Sequence, residues 1–382
     1  MSKPLRIVAA NDTVKVLLAL GEVLAGNQAL FVGPPEANGL MPEVHGLPDD
    51  VADNVGLIVE SSGSTGRPKR IELSTEALLA SAQASLDRLG GPGQWLLALP
   101  ANYIAGAQVL IRSLLADTQP VLMNTAVSFT VDAFVRSTTL MSGDRRYTSL
   151  VPTQLNLLAA AAGGDDYVLK ALRSFDAILV GGQAPSASTV SFLRELGVNI
   201  VVTYGMTETA GGCVYDGIVL DGVQVRVSEA GEIQIGGATL ANGIDEWFAT
   251  ADTGSIDENG RFKVLGRRDR VINSGAVKLS LDLVEEWART QPGVRDAVAL
   301  PLQHPKFGDS FICWVVVDDV DATAIDHTLA SVELGLAART AIWANLPEMP
   351  KLPNGKPDLQ ELQKSFLEYQ KQQRDLRDRG EI

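Results

Sequence analysis

The chain has 382 residues, a formal net charge of −14, 46% apolar residues and 20% charged residues. That length accommodates two or three domains, each with a core of its own, and the composition is that of a folded globular protein rather than a disordered or fibrous one. So acidic a surface repels phosphate backbones, which argues against nucleic acid as a partner; an anionic ligand must be met locally by backbone N–H groups, Lys or Arg.

Asp12 and Lys15 precede Val16–Leu20, which reads as an amphipathic helix rather than a charged leader with an apolar core. Leu57–Glu60 is a short β-rich run ending in a Gly/Ser loop, and Ser74 is placed to N-cap a helix running to Leu89. Trp95–Pro100 predicts a strand and Ala107–Ala116 a helix. The 17 uncharged residues from Trp95 to Ile111 approach membrane-span length, but Pro100, Asn102, Gly106 and Gln108 interrupt them, so no membrane insertion is expected. Strands follow at Tyr147–Pro152 and Ala177–Gly182, a helix at Ser186–Leu196 and a strand at Asn199–Tyr204. Such alternation predicts an α/β fold with a largely parallel sheet covered by helices.

After about Val214 the pattern changes to short segments, Val223–Val227, Glu232–Gly236 and Phe262–Leu265, with a turn at Glu258-Asn259-Gly260. These predict a small β-barrel unit, residues 214–268, appended to a large N-terminal layered domain, residues 1–268. From Asp269 to the last residue, 382, a small α+β domain is expected, with a helix at Leu281–Thr290, strands at Ala297–Leu302 and Phe311–Val317, and a helix at Ala322–Leu336. The charged stretch from Leu362 reads as a solvated helix or frayed tail. Cys213 and Cys313 lie among apolar residues and read as buried free thiols of a cytoplasmic protein; two cysteines make neither a disulfide framework nor a four-ligand zinc site. His45, His304 and His327 are scattered without metal-ligand spacing.

The sharpest local feature is Ser61-Ser62-Gly63-Ser64-Thr65-Gly66-Arg67-Pro68-Lys69, which follows a strand and precedes a helical pattern. Glycines let the backbone turn its N–H groups towards an anion, and the hydroxyls and Lys69 add donors for phosphate oxygens. An ordinary polar turn uses the same residue types, and the Walker arrangement is absent. This string resembles the phosphate loop of the adenylate-forming superfamily of acyl-CoA synthetases, peptide-synthetase adenylation domains and luciferases, with Arg70 where that family usually has Gly.

Further segments follow in the order of that family, and their roles are those the resemblance implies. Gly181-Gly182-Gln183 resembles the adenine-contacting loop. In Tyr204-Gly205-Met206-Thr207-Glu208 the Tyr stacks on the purine, Thr207 holds the α-phosphate and Glu208 binds Mg²⁺. Asp252, in Thr250-Ala251-Asp252-Thr253-Gly254, and Arg267, in Gly266-Arg267-Arg268-Asp269-Arg270, correspond to the ribose-binding residues, and Asp269 to the hinge of a mobile C-terminal domain. Ala251 replaces a family Gly. Ser274-Gly275-Ala276-Val277-Lys278 corresponds to the segment lining the thiol half-reaction site, with Gly275 and Ala276 on the coenzyme A side and Ala276-Val277 departing from the family pattern. Lys356, in Pro350-Lys351-Leu352-Pro353-Asn354-Gly355-Lys356, corresponds to the catalytic lysine, a cation where adenylation concentrates negative charge.

Two segments, Ala98–Gln108 and Ser149–Leu155, resemble the substrate side of o-succinylbenzoate–CoA ligases of menaquinone biosynthesis, with Tyr103 and Gly106 facing the acyl group and Tyr103 where that group commonly has His. The resemblance implies an AMP-forming acid–thiol ligase using ATP, Mg²⁺ and coenzyme A with a small-molecule carboxylate. Ligation of another aryl or short-chain acid, loading of a carrier protein by a stand-alone adenylation enzyme, and a catalytically inactive nucleotide-binding homologue are the alternatives. The residues do not determine the oligomeric state; a homodimer is one expectation.

Overall fold

The computed structural model describes residues 1–35, 44–62, 68–274, 277–304, 308–317, 325–334, 338, 341–352 and 357–378. The chain forms two compact units, Met1–Thr250 with Ser255–Lys263, and Ala251–Gly254 with Val264–Ile382.

The first unit is built on two sheets. One has the order Asp50–Ala52, Ser2–Ala9, Ala29–Gly33, Val55–Ser62, Pro68–Ser74, with a parallel centre and antiparallel outer strands. The other is seven-stranded, in the order Ile218–Val219, Gly211–Tyr215, Ile200–Met206, Ala177–Val180, Arg146–Leu150, Gln94–Leu97, Val121–Leu122. Its strands from Ile200–Met206 to Val121–Leu122 are parallel to one another. A four-stranded sheet, Val223–Val227, Glu232–Gly237, Trp247–Ile256, Phe262–Arg267, follows in sequence order, in the region expected to be a small β unit.

Alternation along each strand sorts the apolar side chains into layers. In Ala177–Val180, Ala177 and Leu179 join the core shared with the helices Thr13–Leu24, Thr75–Leu89 and Ile104–Leu115, where the five-stranded sheet also packs. Ile178 and Val180 turn the other way, into a second core under the helices Val131–Thr138, Pro152–Ala162, Asp166–Arg173 and Ala187–Glu195. Trp95 and Leu97 divide from Leu96 and Ala98 in the same manner. A sheet buried on both faces favours near-continuous apolar strands. That preference accounts for the uncharged run from Trp95: its strand is wholly buried and Ile104–Leu115 lies within the inter-sheet core. Among the described residues no helix is long and apolar enough to cross a membrane.

The second unit has a sheet in the order Val277–Ser280, Val271–Ser274, Gly308–Val317, Val294–His304, with Ile342–Leu346 added parallel to Gly308–Val317. Phe311, Cys313 and Val315 face Leu281 and Val284 of the helix Leu281–Arg289. Ile312, Trp314 and Val316 face Leu362, Phe366 and Tyr369 of the helix Leu359–Asp378, so the charged tail is a docked helix.

Three local expectations change. Pro152 opens a helix instead of closing a strand, which suits its fixed φ and missing N–H. The helix expected over 322–336 is described as His327–Glu333. The Gly/Ser segment does not lead directly into a helix. The chain returns as Pro68–Ser74, antiparallel to Val55–Ser62, with Ile71 and Leu73 buried and Glu72 exposed between them. Only then does Ser74 accept from Ala77 N–H at 3.0 Å and start Thr75–Leu89, which ends at Gly90 in the left-handed region. Ser74→Ala is expected to lower stability by about 1 kcal/mol, read as a shift of the urea midpoint with an unchanged slope.

Candidate active site

In an open parallel sheet the loops at the carboxyl ends of the strands form the ligand-binding edge. Four candidate segments leave the seven-stranded sheet there. Tyr103 and Gly106 follow the strand Gln94–Leu97, and Val151–Gln154 follow Arg146–Leu150. Gly181-Gly182-Gln183 follow Ala177–Val180, and Tyr204–Met206 end the strand Ile200–Met206. Hydrogen bonds tie these loops together. Gln154 Nε2 donates to the Ala98 carbonyl at 3.0 Å, while its Oε1 accepts from Val151 N–H at 3.1 Å. Gly181 N–H reaches the Leu150 carbonyl at 3.3 Å, and Thr203 Oγ1 donates to the Val180 carbonyl at 3.2 Å.

Close approach explains the glycines at this edge. A Cβ on Gly106 would lie 2.2 Å from the Pro100 carbonyl oxygen, and one on Gly181 would lie 2.3 Å from Thr203 Oγ1. At Gly205 the ladder to Gly211–Tyr215 shifts register, and a Cβ would meet the Gly211 carbonyl oxygen at 2.0 Å. Gly182 is different: it has φ +83° and is exposed beside Gln183, so it supplies a left-handed turn.

Thr207–Thr209 forms one 3-10 turn with Thr207 and Glu208 half-buried. Thr209 is buried and holds the turn from below: its Oγ1 accepts from Met206 N–H at 3.0 Å and lies 2.8 Å from the Gly211 carbonyl. The Glu208 carbonyl accepts from Ala241 N–H at 2.9 Å. Ala210 follows with φ 50° and ψ 29°, a left-handed conformation that costs a non-glycine residue about 1–2 kcal/mol. The Tyr204 ring lies 5.5 Å from that of Phe262. Tyr103, half-buried at the N-cap of Ile104–Leu115, has its phenol pushed up by burial, opposed by its bond with Asn102.

Lys69 is exposed on the strand Pro68–Ser74, opposite Ser61. Arg70, one residue on, pairs with Glu60 directly across the ladder at 3.0 Å, donates to the His45 carbonyl at 2.7 Å, and lies 5.7 Å from the centre of the Phe31 ring. The residue that departs from the family pattern therefore clamps the stem of this hairpin.

Asp252, Arg267 and Asp269 all belong to the second unit. Arg267 Nη1 lies 4.0 Å from Asp252, and the guanidinium takes Asp269 as a fork, at 2.8 and 2.6 Å. The hydrogen bonds from Arg267 hold the Asp269 carboxyl below its usual range. Their contribution is present above the ordinary carboxylate pKa and is lost as pH falls through the lowered value. Asp282 accepts from Arg267 N–H at 2.8 Å and from Arg270 Nε at 2.5 Å, fixing the segment to the helix Leu281–Arg289.

Gly63, Ser64, Thr65, Gly66, Gly275, Ala276 and Lys356 lie outside the described residues, and for Ser61 and Ser62 only the backbone strand is described. Thr203, Thr209 and Ala210 do not stand out in the sequence, and Gln154 figures there only within the segment Ser149–Leu155. Their signal is weak, since each acts through a backbone carbonyl or N–H that sequence does not display.

Residues 8–244 match the AMP-binding enzyme family, and the chain belongs to it. Over 330 residues, 83% of this chain and 85% of the relative, it is 39% identical to a Mycobacterium tuberculosis protein named as a probable 2-succinylbenzoate–CoA ligase. A 2-succinylbenzoate–CoA ligase of Escherichia coli is 29% identical over 77% of this chain and 65% of its own length. Among solved structures, o-succinylbenzoate CoA synthetase from Bacillus subtilis, in complex with the acyl-adenylate intermediate OSB-AMP, shares the fold. Its TM-score is 0.73 at 19% identity, over 93% of this chain and 87% of that one.

Gly205→Ala is expected to destabilise the first unit by about 2–3 kcal/mol, because the obstructing atoms are backbone and cannot turn aside; thermal unfolding measures it. Burial pushes the Cys213 thiol up to about 12 and raises Cys313 well above its ordinary value. The thiolate is the reactive form, so neither should react with Ellman's reagent at pH 8 until the protein is unfolded. Rapid reaction of the folded protein would show that these sites open.

Proposed function

We propose that the chain is an AMP-forming 2-succinylbenzoate–CoA ligase that works in the cytoplasm. The observation that carries the reading is the gathering of four loops at one sheet edge, in a chain 39% identical to a probable ligase of that specificity. Free, buried Cys213 and Cys313 accord with a reducing compartment.

The carboxylate of the acid attacks the α-phosphorus of ATP, pyrophosphate leaves, and the acyl-adenylate passes its acyl group to the thiol of coenzyme A with release of AMP. The protein's share of this is positioning and charge stabilisation. Tyr204, backed by Phe262, offers a ring face to the adenine; Gly181, Gly182 and Gln183 border it, and Met206 completes that strand end. Thr207 donates its hydroxyl to the α-phosphate. Glu208, its neighbour on the same turn, supplies one carboxylate, which suits Mg²⁺, an ion that takes its other ligands from phosphate and water. When bound, the ion offsets phosphate charge. Ser61–Gly66 and Lys69 attend the β- and γ-phosphates. Asp252 and Arg267 take the ribose, Asp269 is the hinge, and Gly275 and Ala276 border the thiol path. Lys356 provides the cation between the attacking carboxylate and the α-phosphate.

Tyr103 and Gly106 border the acyl group. A phenol at position 103, where o-succinylbenzoate–CoA ligases commonly have His, also supports a second reading, ligation of a different aryl acid.

The deciding assay supplies ATP, Mg²⁺, coenzyme A and 2-succinylbenzoate and measures thioester, AMP and pyrophosphate. Equimolar thioester and AMP are expected. Pyrophosphate without thioester would move the acceptor to a carrier protein, and turnover only with other aryl acids would replace the substrate. In Lys356→Ala, adenylation should fall by about 10²–10³-fold, the scale of losing one transition-state charge contact, with ATP affinity nearly unchanged. A collapse of ATP binding would remove Lys356 from that role.

A further inference from the structure

Gln108 lies in the helix Ile104–Leu115, two residues beyond Gly106, and its side chain is fully buried. Its two amide protons have two destinations. Nε2 donates at 2.8 Å to the carbonyl of Ala210 and at 3.3 Å to the carbonyl of Leu78, in the first turn of the helix Thr75–Leu89. One amide thus joins three elements: the helix after the acyl-side loop, the helix after the Pro68–Ser74 strand, and the turn that carries Thr207 and Glu208.

The bond to Ala210 falls at a strained point. Ala210 is the left-handed residue closing the Thr207–Thr209 turn. A peptide held in that conformation without glycine persists only where its surroundings determine it. Ala210 is itself fully buried, so its carbonyl would lose its hydrogen-bonding partner without Gln108. Gly211, at φ +111°, gives the room: a Cβ there would stand 3.3 Å from Gln108 Cγ. The geometry of the turn is therefore referred to a side chain on the acyl-side helix.

We infer that Gln108 is a positioning residue for adenylation: by holding the Ala210 carbonyl it fixes the turn presenting Thr207 and Glu208 to magnesium and the α-phosphate. This rests on the roles given to Thr207 and Glu208 above. Gln108 touches neither substrate nor ion and acts only through the turn.

The test replaces Gln108 by Met, of similar length and without the amide, in the full chain. Three readouts are taken: ATP–pyrophosphate exchange with 2-succinylbenzoate as a function of Mg²⁺, affinity for ATP with and without Mg²⁺ by titration calorimetry, and the thermal midpoint. Misplacement by about 1 Å costs on the order of 10²-fold in rate. Gln108→Met should lower exchange kcat on that scale and weaken the Mg²⁺-dependent part of ATP affinity, with less effect on the KM of the acid. Ala210→Gly, which relaxes the left-handed residue, should restore part of the loss when added to Gln108→Met. Ser113→Ala removes a buried hydroxyl bonded to the Val109 carbonyl in the same helix and should leave all three readouts close to the unmodified chain.

Unchanged Mg²⁺ dependence in folded Gln108→Met, or a loss that follows only the fraction of unfolded protein, overturns the inference. Should that variant not fold, Gln108→Glu, isosteric and with at most one proton to donate, takes the same test against the same criteria. If the unmodified chain binds ATP with Mg²⁺ but does not activate 2-succinylbenzoate, the substrate reading fails and the titration still decides the role of Gln108. A chain that binds no ATP overturns both.

Discussion

Burial of the seven-stranded sheet on both faces is the constraint from which the rest of the first unit follows. Apolar side chains occupy both layers along Trp95–Leu97 and Ala177–Val180, which leaves these strands little room for polar groups between their ends. Polar groups are displaced to the strand ends, where backbone N–H and C=O groups leave the ladder and need partners. At the carboxyl edge those partners are the side chains of Gln154, Thr203 and Thr209, each bonded to a neighbouring loop or turn. The same burial that stabilises the layers thus organises the loops.

The inter-sheet core is not wholly apolar, and the helix Ile104–Leu115 contributes two of its polar side chains. Gln108 and Arg112 are one turn apart. The Arg112 guanidinium sits 5.1 Å from the centre of the Trp95 ring and reaches Tyr215 Oη at 3.3 Å, which in turn lies 2.9 Å from Ser85 Oγ. Burial pulls the arginine's pKa down, opposed by Tyr215. A cation met by a ring face and a phenol, with no carboxylate bonded to it among the described residues, is held by geometry more than by charge. It anchors Gly211–Tyr215, the strand that follows the Thr207–Thr209 turn, to the two central helices.

Much of this architecture could be read before any coordinates. Ser74 announced its helix because an N-cap hydroxyl has a local task, and it performs it; Ser186, read only as the start of a helix, proves to cap it in the same way. The parallel strands announced themselves by the alternation of strand-like and helix-like segments, with Ala177–Val180 an unbroken apolar run. The return strand Pro68–Ser74 did not, because its alternation is brief and sits among charges between a Gly/Ser segment and a strong helix signal. Gln108 was visible as an interruption of an apolar stretch, yet its purpose lies 102 residues away, at a backbone carbonyl. Glu208 and Thr207 were recognisable because their string resembles a known family; Thr209 and Ala210, beside them, support the turn through backbone contacts that leave no comparable signature. Arg70 was noted as a departure from a pattern, and its three contacts with Glu60, His45 and Phe31 are legible only in three dimensions.

The path of the chain between the two units has a practical meaning. Ala251–Gly254 and Val264 onward belong to the second unit, whereas Ser255–Lys263 returns to the first. Three crossings between Thr250 and Val264 leave no single peptide bond at which the units part cleanly. A fragment beginning at Asp269 would leave behind Arg267, with its bonds to Asp269 and Asp282, and the residues around it: Asp252, which pairs with Arg267, and Thr253, which donates to the Gly266 carbonyl. Cleavage anywhere between Thr250 and Val264 would therefore divide the sequence of at least one unit between two fragments, and neither half is a natural candidate for separate expression.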